Sequence, residues 1–283
     1  MSIDKLQKRL RQLKSPIMVD LTMTQEDIAP DILAEAGAFL PAYEKVCTGL
    51  LEALADTVPA VRLDFGCFAV LGAEGLDVLS RLLSLAKEKG YYVLLDGVDF
   101  VNTAAISGVM NMFCDGLCLS PYMGSDHIKD YIKHLPDSDK SLFVALRTPN
   151  RSASEIQDLM TGSRLVYQAA ADILSRLGEP FAGKCGYTQI AGTAAANAPD
   201  SLRTLRSKYN RLFLLVDGYD YSNANAKNCS FAFDQFGHGA VVCSGTGITA
   251  AWKEQGNGSD YVQAAVEAAQ RMQKNILRYI TIL

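Results

Sequence analysis

A chain of 283 residues, 49% hydrophobic and 20% charged, is long enough to bury a large core, and one α/β barrel accounts for it as well as two domains would. The net charge of −4 and the scarcity of Lys/Arg clusters leave no basic patch, which argues against nucleic acid or a membrane as partner. Seven scattered cysteines, mostly in apolar runs, and the lack of a leader-like start point to reduced thiols in a cytoplasmic protein; no apolar run approaches the roughly 18 residues of a membrane helix.

Eight short apolar runs recur along the chain: PIMVDL (16–21), AVRLDF (60–65), YYVLLD (91–96), DGLCLS (115–120), LFVALR (142–147), KCGYTQI (184–190), LFLLVD (212–217) and AVVCS (240–244). Helical patterns separate most of them, over Asp31 to Ala55, Ala73 to Lys89, Thr103 to Met112, Ser152 to Leu177 and Asp200 to Tyr209, and a last one runs from Tyr261 to Tyr279. In the second pattern Leu76, Leu79, Leu82, Leu83 and Ala86 share one stripe, and Gly90 stands where a helix usually ends. Strands separated by helices of this length predict a parallel sheet with right-handed crossovers. Eight such units predict a single (β/α)8 barrel over residues 1–283, with an open doubly wound sheet as the alternative. No composition shift marks a linker.

In a barrel the residues just after each strand face the active-site end. The candidates are therefore Asp20 and Thr22, Arg62 and Asp64, Asp96 and Asp99, Ser120, Arg147 and Thr148, Ala191 to Thr193, Asp217, Gly218 and Asp220, and Ser244 to Gly247. Two segments look able to hold an anion. AGTAA, with Gly192 and Thr193, and CSGTGIT, with Ser244, Gly245, Thr246 and Gly247, each follow a strand and place glycines where backbone N–H groups can approach a phosphate. The competing reading is that these glycines only permit tight turns.

Other features read more blandly. Asp96, Asp99, Asp217 and Asp220 suit solvated strand ends better than a cation site, and no metal is expected. His127 and His134 lie on a polar helical pattern and are expected to face solvent. His238 precedes the last strand, at the end opposite the site, and is read as structural. Cys114 and Cys118 lack the second pair a zinc site needs and are read as core thiols. Trp252 is expected to cover the barrel rim.

The motifs SPIMVDLT, LGAEGLDVLSRLLSLAKEKGYYVLLDG, VNTA, DGLCLSPYMG, FVALRTPN, LVDGY and FGHGAVVCSGTGI together resemble the longer bacterial branch of orotidine 5′-phosphate (OMP) decarboxylase, over nearly the whole chain. The resemblance implies a (β/α)8 barrel that dimerises with active sites at the interface, uses no cofactor, and expels CO2 from the pyrimidine with the help of a lysine in an Asp-x-Lys-x-x-Asp run. Here LLDGVDFVNTA keeps the acids as Asp96 and Asp99, puts Val98 where the lysine belongs, and is two residues short. Thr22 falls near the family's ribose-binding Asp, where the adjacent Asp20 could substitute. Arg62 replaces a second-strand Lys, and Pro149, after Thr148, replaces the base-reading Ser. Ser222 replaces a ligand-touching Gln, and Thr246 replaces the phosphate-gripping Arg.

The resemblance thus implies a phosphorylated small molecule or nucleotide as ligand. The departures predict a divergent relative with a degraded OMP site and weak or no decarboxylation, paired as a homodimer or with an intact homologue. The alternative is an active decarboxylase, or another barrel lyase, that uses Arg62, Asp96 and Asp99 in a rearranged site.

Overall fold

The computed structural model describes residues 1–255 and 258–283. Eight parallel strands close a barrel: β1 (Ile17–Asp20), β2 (Ala60–Asp64), β3 (Tyr92–Asp96), β4 (Gly116–Leu119), β5 (Ser141–Ala145), β6 (Ile190–Ala195), β7 (Leu214–Asp217) and β8 (Ala240–Ser244). They pair in sequence order, and β1 closes the ring by pairing with both β2 and β8. Helices lie between successive strands and pack outside, so the expected (β/α)8 architecture is present. No helix among the described residues is long and apolar enough to cross a membrane.

The period of two along each strand decides what enters the barrel. Met18, Ala60, Tyr92, Leu94, Phe143, Phe213, Leu215 and Cys243 pack together inside. The alternate residues Val19, Val61, Val93, Leu95, Val144 and Val216 point outward into the larger core shared with the helices. Continuing the inward parity to the strand ends brings Asp20, Arg62, Asp96, Thr193 and Asp217 to one end of the barrel. The other end is shut. Helix Ser2–Leu13, which the sequence reading left without an element, carries Ile3, Leu6 and Leu10 at helical spacing, and all three are buried in the interior cluster. Burying each such side chain is worth about 1.5–3 kcal/mol, so the plug leaves only the C-terminal mouth open.

Several expectations need correction. The sixth strand is Ile190–Ala195, not 184–190. Residues 184–187 form a turn and an isolated bridge ties Ala182 to Thr188; the small residues Ala191, Gly192 and Ala194 suit a strand fully buried on both faces. The pattern from Asp31 to Ala55 is two helices, Pro30–Ala36 and Phe39–Ala53, broken at Gly37 with φ 72°. That from Ser152 to Leu177 contains only helix Val166–Gly178; before it come a short 3-10 turn and a two-stranded hairpin, Met160–Thr161 with Arg164–Leu165. Helix Gly72–Glu88 does bury Leu79, Leu82, Leu83 and Ala86, but Leu76 sits at its exposed edge and Val78 takes its place.

Candidate active site at the barrel mouth

Arg62 stands at the centre of the mouth. It is the only cation lining either of two adjoining lobes of about 460 and 440 Å3 among the described residues. Its guanidinium donates to Asp217 at 3.0 and 3.2 Å and to Asp20 at 2.6 Å, and lies 3.9 Å from Asp96. The planar fork of an arginine suits this: two nitrogens address the two oxygens of Asp217 while one also reaches Asp20. The backbone completes the set, because Asp20 also accepts from the N–H and hydroxyl of Thr22, and Asp217 from the N–H of Gly218. Arg147, the other cation among the sequence candidates, donates to both oxygens of Asp158.

Asp96 is the least engaged of these carboxylates. It accepts one hydrogen bond, from the N–H of Gly97 at 2.8 Å. Burial pushes its pKa above the usual carboxylate value, and the attraction of Arg62 offsets this only in part. Gly97 has φ 71°, and a Cβ there would lie 2.9 Å from the Gly66 nitrogen, so only glycine lets the chain turn directly after Asp96. Beyond the turn Val98 is fully buried in the outer core, and its carbonyl accepts from Tyr131. Asp99 receives the Ser120 N–H at 2.9 Å and lies 2.5 Å from Nε2 of His127. His127 is therefore not solvent-facing as expected. It is 6% exposed on helix Gly124–Ile132, its ring edge-on to Tyr131, and ties the β3 loop to that helix.

The loop after β8 does form a nest of donors, and the chain fills it. Asp220 accepts from the Ser244 hydroxyl at 2.5 Å and from the Gly245 N–H at 2.6 Å. A Cβ at Gly247 would lie 2.3 Å from Asp220 Oδ1, so that glycine makes room for the carboxylate. The other expected anion loop does not exist. Gly192 and Thr193 lie within β6. Gly192 faces outward, where a Cβ would meet Leu146 Cδ1 at 2.5 Å, while Thr193 faces the mouth.

Of the remaining sequence candidates, Thr148 lines one lobe and Gly245 and Thr246 the other. Ser222 lies exposed and lines neither lobe. Asp64 caps helix Phe65–Ala69 through the Cys67 N–H. Cys118, read from sequence as a core thiol, lines the mouth, as do Phe143 and Tyr221, which the sequence reading did not single out; strand parity would have found Cys118 and Phe143. Burial pushes the Cys118 and Cys243 thiols well above the ordinary thiol value, which leaves both protonated and poor nucleophiles.

No family model matches the sequence. Individual proteins do. The OMP decarboxylase of Clostridium novyi is 28% identical over 241 residues, covering 81% of this chain and 82% of that one. The one of Rhodopirellula baltica is 26% identical over 280 residues, covering 92% and 89%. The chain is similar in sequence to orotidine 5′-phosphate decarboxylases. Among solved structures, the Leishmania donovani OMP decarboxylase superposes with a TM-score of 0.76 at 22% identity over 98% of both chains, which is a likeness of fold. Val98 lies inside the core, and Thr246 lies beside the nest taken by Asp220.

Proposed function

We propose that this relative of the OMP decarboxylases decarboxylates OMP weakly or not at all and serves as a binding protein on the same barrel. The observation that carries the reading is the commitment of Arg62: the single cation of the mouth is shared by Asp20 and Asp217. A carbanion left by CO2 loss needs a cation or proton donor beside it, and absence of a general acid alone typically costs about 10²–10⁴ in rate. Asp220 supports the same reading, since its charge stands among the donors a phosphate would use and would repel a dianion by about 1–4 kcal/mol per close pair. A spectrophotometric OMP assay tests it: turnover far below the ordinary range of roughly 1–10³ per second is expected, and turnover within that range overturns it.

The second reading, a lyase using Arg62, Asp96 and Asp99, is favoured by one observation, that burial raises the pKa of Asp96 above the ordinary carboxylate value while Arg62 lies 3.9 Å away. We also propose a dimer. Val101, Tyr122, Met123, Ile156, Leu159 and Met160, each more than half exposed, lie on the loops after the adjacent strands β3, β4 and β5. A second copy or an intact homologue would cover this apolar rim.

A further inference from the structure

The mouth is short of positive charge. Asp20, Asp96, Asp99, Asp217 and Asp220 line its lobes beside one arginine. Four of these have close partners within the chain: Arg62 for Asp20 and Asp217, His127 for Asp99, Ser244 and Gly245 for Asp220. Asp96 has only the Gly97 N–H, with Arg62 at 3.9 Å.

A second, independent observation comes from the facing strand. Thr193 is 8% exposed and lines the lobe of Asp96, and its hydroxyl has no hydrogen-bond partner among the described residues. The hydroxyl is left open toward the lobe, free to bond a ligand there. Phe143 and Leu119 give the same lobe an apolar floor. Among the described residues no three His, Cys, Asp or Glu side chains come together as a metal site requires. One under-partnered carboxylate, one spare hydroxyl and an apolar floor suit an ammonium on a hydrocarbon body better than a hard metal ion, which wants several oxygens.

We propose that the Asp96 lobe binds a small organic cation, a protonated amine on a compact apolar body, with the Asp96 carboxylate as counter-ion and the Thr193 hydroxyl as second hydrogen-bond partner. This rests on the reading above, that the mouth no longer carries out OMP decarboxylation and that Asp220 disfavours a phosphate dianion there. Asp220 reinforces the choice of charge, because the donors of the β8 loop that could greet an anion, the Ser244 hydroxyl and the Gly245 N–H, already bind it.

Three probes of one shape and different charge test the proposal by titration calorimetry at pH 7.5: benzylamine, benzyl alcohol and benzoate. Benzylamine should bind saturably, benzyl alcohol at least tenfold more weakly and benzoate not at all. Asp96→Asn should reduce benzylamine to the level of the alcohol, and Thr193→Val should weaken it several-fold. Circular dichroism of both variants checks that they are folded. Absence of benzylamine binding to the folded wild type overturns the inference, as does binding that Asp96→Asn leaves unchanged or benzoate binding as tightly as the amine. Magnesium chloride displacing benzylamine at lower concentration than benzylamine's own dissociation constant overturns it in favour of a metal. UMP titration and the OMP assay run beside these, so failure of the binding-protein reading shows as nucleotide binding or turnover, whatever the amine does.

Discussion

Arg62 is the residue on which the mouth depends. Buried ion pairs add little net stability, but removing one partner leaves uncompensated charge, at about 3–5 kcal/mol. Arg62→Met should therefore destabilise the protein by an amount in that range in urea denaturation at pH 7, and adding Asp217→Asn should return part of the loss, since one stranded carboxylate is then gone. Asp96 behaves in the opposite sense. Its folded pKa lies above the usual 3.8 because of burial, so the native state holds a proton that the unfolded chain releases, and stability falls as pH rises from 3.8 through the raised value. Asp96→Asn has no such proton. Its melting temperature should differ little from wild type below 3.8 and exceed it progressively as pH rises through that window; thermal melts over roughly pH 3.5–7 check the sign.

At the scale of elements, two pieces act as closures. Helix Ser2–Leu13 seals the barrel with Ile3, Leu6 and Leu10. Leu6→Ala should cost about 2–5 kcal/mol, in the range for a large-to-small change at a fully buried site, measurable as a shifted urea midpoint with an unchanged slope. The β3 loop is held through Asp99 by His127. His127→Ala removes that tie, and should cost about 1–3 kcal/mol while hydrogen exchange at residues 98–102 accelerates relative to the barrel strands. Unchanged exchange there would mean that the Tyr131 contacts to Val98 and Phe100 alone hold the loop.

For the whole molecule, the plugged end and the open end assign different tasks. The closed end stores stability, while the open end carries the charge cluster and, on its β3–β5 side, the apolar rim that we propose a second copy covers. Sedimentation at micromolar concentration should give a dimer. Met160→Asp together with Tyr122→Asp should give a monomer of unchanged fold, because charges placed in the core of an interface stay unpaired when it closes. A wild-type monomer, alone and with an intact homologue present, counts against the dimer.

The fold was legible because its signal is repetitive: seven of eight strands fall on the apolar runs read from sequence, and their period of two points Asp20, Arg62, Asp96 and Asp217 inward without any tertiary information. The sixth strand was missed because its small residues carry little hydrophobic contrast, and the N-terminal helix because its apolar stripe is only three residues among many charges. The resemblance draws attention to Val98, Pro149 and Thr246 from sequence alone, and the loss of function it implies at them is an expectation. Only the tertiary structure decided their meaning. Asp217 is 155 residues from Arg62, Asp220 is 24 from Ser244, and His127 is 28 from Asp99. No local pattern encodes such partners, since a closed barrel brings together strand ends remote in sequence, and whether an acid at a strand end is solvated, paired or left short of charge depends on which neighbours arrive there.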